Sequence, residues 1–272
     1  MELVEIADPA DPRVAEFTRM RDPRLRDRLG EHGAFLAEGQ VVVERALRAG
    51  YRLRRVLTEP RFVPALEPVL GDLDVVVHVA ERPVLRAITG YPEHAGPLGA
   101  FDRKPQARPE DVVAAARRVV VLEDTVNPTN MGVLFRCAAG LGMDAVLVTP
   151  ASTDPLYRRS VRASMGEIFA IPWARLRRWP GDGAALRDAG FTVVAMTPGP
   201  GSLPLDEFDP SRVDRLVVLL GTEGPGLSEA ALALADVRLS IPMERGVDSL
   251  NVGAAAAVAF WHLGRRSAPA AG

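Results

Sequence analysis

The stretch IPMERGVDSLNVGAAAAVAFW, residues 241–261, joins the end of an apolar strand to an alanine-rich helix through a polar turn. A connector of that kind needs one N-cap, for which Asp248 or Ser249 would serve. This turn also carries Asn251, with Leu250 between it and Ser249, at a helix start where backbone N–H groups lack intrahelical partners. On this segment alone a well-capped helix and a binding turn are equally good readings.

The strand that leads into the turn is the last of a series. VVVL (119–122), AVLVT, FTVVAM, LVVLLG and VRLSIP are short and apolar on both faces, as buried parallel strands are. Between them lie the helical stretches MGVLFRCAAGLG, PLYRRSVRASMG, GAALRDAG and SEAALALA. The alternation predicts an α/β domain built on a mainly parallel sheet with helices on both faces. Its ligand would sit outside the carboxyl ends of the strands. Three polar loops fall at such ends: NPTNMGVLFRCA, LLGTEGPGLS and the turn before Asn251.

Nearer the N-terminus, AFLAE, LRRVLT and DVVVHVA alternate with QVVVERALRAG, RFVPALEPVLG and ERPVLRAITG, a second βα rhythm around a smaller sheet. Charges and prolines in FDRKPQARPEDVVAAARR, from about Phe101 to Arg118, mark the boundary as a linker entering a short helix. The expected division is a first domain over 1–103, a linker over 104–117 and a second domain over 118–272. His78 and His94 lack a partnered acid at recognisable spacing and read as structural or surface residues.

The 272 residues are 47% hydrophobic and 25% charged, a composition of globular proteins with a real core. The net charge of −2 provides no global field for nucleic acid, so any such contact rests on local patches. Arg13, Arg19, Arg21, Arg24, Arg26 and Arg28, then Arg45, Arg48, Arg52, Arg54 and Arg55, could form one, since guanidinium forks match phosphate oxygens. Interleaved Asp22, Asp27, Glu31 and Glu44 allow a solvated face equally, and Lys104 as sole lysine points to a general preference for arginine. Cys137 is the one cysteine, which rules out an intrachain disulfide and argues against a cysteine-based metal site. The acidic, proline-bearing start is unlike a secretory signal, and no apolar run reaches the ~18 residues of a membrane span. A cytoplasmic location is expected, with no membrane and no metal.

The loops carry the chemistry. Arg136 lies six residues after Asn130, among Phe135, Cys137, Ala138 and Ala139. A guanidinium there should be paired, with Glu123 or Glu223 available, or should face a ligand. The second loop sets one acid, Glu223, among glycines that allow close backbone approach to a ligand. It has neither the Gly-Lys-Ser/Thr of a P-loop nor the GxGxxG of a dinucleotide site, which argues against a nucleotide-dependent oxidoreductase.

Taken together and in order, NPTNMGVLFRCA, LLGTEGPGLS and IPMERGVDSLNV resemble the three motifs of the SpoU/TrmH family of S-adenosylmethionine-dependent RNA ribose 2′-O-methyltransferases, within the SPOUT superfamily. DPLYRRSVRASMGEIFAIPW resembles the family's link segment, with Glu167 where a small residue often follows the glycine. The resemblance is firm over 119–263. It extends more loosely to FLAEGQVVVERAL and HAGPLGAF, which look like a small substrate-binding domain of ribosomal-protein-like fold.

The resemblance implies a C-terminal SPOUT domain with a deep trefoil knot that takes S-adenosyl-L-methionine in a bent shape. Thr197, Pro198, Leu219, Gly221, Ile241, Met243 and Leu250 would wall the adenine and ribose. Asn130, Arg136, Glu223, Ser249 and Asn251 would surround the ribose whose 2′-hydroxyl attacks the methyl. The family's general-base role would fall to Arg136, a demanding one for a side chain that titrates at about 12.5 or above. The alternative has Arg136 gripping the neighbouring phosphate, Glu223 anchoring the arginine, and Asn130, Ser249 and Asn251 orienting the hydroxyl. An acid at Glu167 would repel RNA unless it turns away or pairs with Arg158, Arg159 or Arg162. The resemblance also implies a homodimer through the knotted domain. The full N-terminal domain tilts the substrate towards 23S rRNA over tRNA, and a catalytically inactive RNA-binding homologue is a third reading.

Overall fold

The structure, a computed structural model of the chain, describes residues 1–18, 33–71, 73–90 and 96–264. Arg19, Arg21, Arg24, Arg26, Arg28 and His94, singled out above, lie outside the described residues. The chain forms two compact units, one of Met1–Pro105 with Leu156–Phe169 and the other of Gln106–Pro155 with Ala170–Gly272.

The first unit contains strands β1 (Glu2–Glu5), β2 (Ala34–Glu38), β3 (Leu53–Thr58), β4 (Val76–Val79) and β5 (Leu98–Asp102), in sheet order β1-β4-β3-β5-β2. β1, β4 and β3 run parallel, whereas β5 is antiparallel to both β3 and β2. Helices α1 (Gln40–Arg48), α2 (Val63–Leu70) and α3 (Arg82–Thr89) fall where the βα rhythm predicts them. β1 and β5 were not foreseen. β1 is a polar edge strand, and Phe101, the first residue of the boundary stretch, is buried in β5 and stacks on Phe35.

Leu156–Phe169 departs from the expected 118–272 domain and packs in the first unit. The cause is local. Its helix α6 (Arg158–Ala163; α4 and α5 are given below) brings Arg158 to the fully buried Glu38 carboxylate at 2.6 Å, with Arg162 at 3.5 Å. Phe169 adds ring contacts to Phe35 and Tyr51. Glu167 pairs with Arg45 at 2.6 Å, so its partner is none of the three arginines proposed from sequence. Arg13, Arg48, Arg52 and Arg54 are likewise engaged, by Asp11, Glu44, Asp102 and Glu16. The described part of the arginine stripe is thus largely neutralised by its own acids.

In the second unit β6 (Arg118–Leu122), β7 (Ala145–Val148), β8 (Trp173–Arg175), β9 (Thr192–Met196), β10 (Leu203–Pro204), β11 (Leu216–Leu220) and β12 (Val237–Ser240) form one sheet, ordered β10-β12-β9-β11-β6-β7-β8. Every pairing is parallel. The helices are α4 (Pro109–Val113), α5 (Pro128–Gly140), α7 (Gly181–Asp188), α8 (Glu229–Leu232) and α9 (Val252–Leu263). β6 and β11 are buried along their whole length at the centre, matching their unbroken apolar sequences. Val119, Val121, Val217 and Leu219 share one core with Leu147 and Ala195, each buried valine or leucine contributing ~1.5–3 kcal/mol. The short β8 and β10 carry no apolar run of their own, and sequence periodicity missed them. α4 is the short helix expected within the linker stretch.

α5 starts at Pro128, before Asn130. Asn127 accepts from the N–H groups of Thr129 at 2.9 Å and Asn130 at 3.4 Å, and the proline takes the first position, where its missing N–H costs nothing. α9 lies against α5, and the fit is close, since a Cβ on Gly253 would stand 2.6 Å from Val133.

Candidate functional site

Beyond the carboxyl ends of β9, β11 and β12 the chain forms three loops, and between them lies a cavity of about 700 Å³. Of the twelve residues proposed for the site, nine line it: Thr197 and Pro198 after β9, Gly221 and Glu223 after β11, and Ile241, Met243, Ser249, Leu250 and Asn251 after β12. Leu219 is not among the lining residues, and its side chain packs in the core. It precedes the loop by two residues within a wholly buried strand.

Asn251 has two tasks. Its Oδ1 accepts from the Gly253 N–H at 2.9 Å, so the N-cap of α9 is Asn251 itself and neither Asp248 nor Ser249. Its Nδ2 donates to Glu223 Oε1. Glu223 is therefore anchored by Asn251, and the expected anchorage of Arg136 by Glu223 is absent. Ser249 and Leu250 stand exposed on the cavity wall.

The loop carrying Glu223 is folded tightly on itself. The Gly226 N–H donates to Thr222 O at 3.1 Å, and a Cβ on Gly221 would meet Gly226 C at 2.2 Å. Only glycine fits at 221. At the opposite wall, Thr197 N–H donates to Leu239 O at 2.9 Å, continuing the β9–β12 ladder to the cavity edge.

Asn130 and Arg136 lie on α5 and are not part of the cavity lining. Asn130 is buried in the first turn. Arg136 is exposed, and no described residue forms an ion pair or hydrogen bond with its guanidinium. The two acids considered as its partners are taken, Glu223 by Asn251 and Glu123 by Trp179 and Ser228. Beside Arg136, burial pushes the Cys137 thiol above its ordinary value.

Sequence reading passed over Met196, Thr222, Arg238, Val252 and Ala255, all on the cavity wall. Val252 and Ala255 could have been found from their spacing of three within the first turn of α9, which sets them on one helix face. Arg238 had no signal, being a charge on a strand read as apolar. Among the described residues no group of three metal-ligating side chains occurs, and no helix is long and apolar enough to cross a membrane.

Residues 117–261 match the SpoU rRNA Methylase family. An uncharacterized tRNA/rRNA methyltransferase of Mycobacterium tuberculosis is 38% identical over 267 residues, covering 97% of this chain and 93% of the relative. The Bacillus subtilis 23S rRNA guanosine 2′-O-methyltransferase RlmP is 27% identical, over 95% of this chain and 98% of that protein. Among solved structures, an AdoMet-bound rRNA methyltransferase from Sinorhizobium meliloti superposes with a TM-score of 0.81 at 25% identity, covering 96% of this chain and 97% of that one. With the second and third motifs on loops that line one cavity and the first on α5, the chain belongs to the SpoU rRNA methylase family of RNA methyltransferases.

Proposed function

We propose that this protein transfers the methyl group of S-adenosylmethionine to a ribose 2′-hydroxyl of RNA, with 23S rRNA the favoured substrate. The observation that carries the reading is the convergence of Thr197, Gly221, Ile241, Leu250 and Asn251, from three separate loops, on one cavity at the strand ends. The likeness to RlmP supports both the 2′-hydroxyl and the ribosomal substrate.

The cavity suits the cofactor. Its volume of about 700 Å³ is that of a small-molecule site, and its walls combine backbone of glycine-rich loops with the apolar Leu220, Ile241, Met243 and Leu250. Thr197, Pro198, Gly221, Ile241, Met243 and Leu250 would hold the adenosyl part. Bound there, the cofactor supplies a methyl group on a positively charged sulfur. Ser249, Asn251 and, from the first turn of α5, Asn130 orient the acceptor hydroxyl, and Glu223 is kept in place by the Asn251 amide. Positioning of this kind can account for ~7–11 kcal/mol of barrier reduction in favourable cases. Arg136 serves as phosphate clamp, a role that its exposed, unpaired guanidinium supports.

A homodimer through the second unit is part of this reading. Val258 and Trp261 on α9 are 42% and 60% exposed, and Arg136 does not line the cavity of its own chain, which supports a role at the cavity of a second copy. The course of the chain supports a deep trefoil knot. From β12, near one edge of the sheet, it runs back to α9, which packs on the helix following the central β6. The first unit, with its mixed five-stranded sheet, takes the part of a ribosomal-protein-like RNA-binding domain, and the protein works in the cytoplasm where ribosomal RNA is found.

The test is transfer of labelled methyl from S-adenosylmethionine to ribosomal RNA and to total tRNA from a strain lacking the gene, with Arg136→Ala as control. Label in ribosomal RNA, released as 2′-O-methylnucleoside and lost in the variant, is the expected result. Label in tRNA alone would move the substrate. Cofactor binding without label in either pool would favour the inactive homologue.

A further inference from the structure

We infer that Glu123 is a positioning residue for the cofactor cavity, tying the neck of the loop that carries Glu223. The inference rests on the reading of that cavity as the S-adenosylmethionine site. Glu123 follows β6 directly, and its N–H donates to Leu220 O at 2.8 Å, which extends the central ladder to the last residue before the loop. Its carboxylate, 3% exposed, reaches the other end of the same loop. Oε2 accepts from the Ser228 N–H at 2.8 Å, and Oε1 accepts from the Ser228 hydroxyl at 2.7 Å and from Trp179 Nε1 at 2.5 Å. Ser228 Oγ in turn accepts from the Ala231 N–H at 3.1 Å and caps α8.

Main chain and side chain of one residue thus hold both ends of the segment 221–227. Within it the close approach of Gly221 to Gly226 leaves little freedom, so the position of Glu223 and of the cavity wall follows from where the neck is held. A buried carboxylate is costly unless its oxygens are satisfied, and here three donors from two other segments satisfy them. A carboxamide cannot replace it. Glutamine has the same shape, but its NH₂ would face one of those donors whichever way the amide is turned.

The experiment compares Glu123→Gln with wild type for the KM of S-adenosylmethionine, the KM of RNA, kcat, thermal midpoint, and amide hydrogen exchange of 221–228. The expected result is a cofactor KM raised at least about tenfold, the scale of one lost charge-assisted bond, with RNA KM unchanged and faster exchange confined to 221–228. Ser228→Ala should add little in the Glu123→Gln background, because the two act through one contact. Trp179→Phe, which removes one donor and leaves the neck tied, should change cofactor KM less than twofold. An unchanged cofactor KM and unchanged exchange in Glu123→Gln would overturn the inference. So would a loss shared equally by cofactor KM, RNA KM and exchange throughout the second unit, which is the signature of general destabilisation. Should wild type bind no S-adenosylmethionine, the cofactor reading fails, and exchange of 221–228 alone decides whether Glu123 holds the loop.

Discussion

The Asn251 side chain caps α9 with its oxygen and holds the Glu223 carboxylate with its nitrogen, so the helix start and the glycine loop share one amide. The two tasks can be separated. Asn251→Ala should lose about 1 kcal/mol of stability with the cap, together with methyl transfer. Asn251→Ser retains a capping oxygen but has no group that reaches Glu223, and should recover most of the stability without the activity. Denaturant unfolding read beside label transfer checks both. Equal activity in Asn251→Ser and wild type would remove Glu223 anchorage from the mechanism.

Arg136 contributes nothing visible to the fold, being exposed without a described partner. Arg136→Lys keeps the charge and gives up the planar fork, so transfer should fall by at least about tenfold while the thermal midpoint stays within a degree or so. Near-full activity in the lysine variant would count against both the clamp and the base assignments.

Two glycines of the same loop should behave differently. Gly221→Ala puts a methyl 2.2 Å from Gly226 C and must open the loop, so calorimetry should find cofactor affinity sharply reduced. Gly224 has φ +86° with nothing within 4 Å, and Gly224→Ala meets only the backbone strain of a left-handed residue, about 1–2 kcal/mol. Comparable affinity in the two variants would mean that the Gly221 contact does not shape the cavity.

In the first unit, Glu38 is a buried carboxylate facing Arg158 and Arg162. Removing it takes a buried carboxylate from the largely buried Arg158, and Glu38→Ala should cost about 3–5 kcal/mol in denaturant unfolding. Replacing Glu38 and Arg158 together by apolar residues should recover part of that loss, as expected for a pair whose desolvation offsets much of its attraction.

His78, buried on β4, is held below its ordinary value of 6.5, chiefly by desolvation, although Val56 O accepts from or faces its Nδ1 at 3.2 Å. The unfolded chain then binds the proton more readily than the folded one. Its contribution to stability is complete above pH 6.5 and declines as pH falls from there towards the lower folded value. The thermal midpoint should fall between pH 7 and pH 5, and His78→Gln should flatten that slope. An equal slope in both proteins would assign the effect to other groups.

The strands and helices of the second unit could be read from the chain because their signal is local. Val119–Leu122 and Leu216–Leu220 are apolar at every position since both faces of a central strand are covered, and Asn251 precedes an unbroken alanine-rich helix. The motif residues were named from their resemblance to a family, and at Gly221 the structure supplies a physical reason, since no side chain fits there. β8 and β10 were illegible, being two or three residues long and recruited to the sheet by their neighbours.

What only the tertiary structure decided is which polar group faces which. From sequence, Glu123 and Glu223 were equal candidates for Arg136, and Glu167 for any of three nearby arginines. In the fold, Ser228 and Trp179 take Glu123, Asn251 takes Glu223, and Arg45 takes Glu167. Apolar burial is non-directional and leaves a periodic trace along the chain, whereas a hydrogen bond or ion pair is a relation between two atoms, here 28 to 122 residues apart, that periodicity cannot encode.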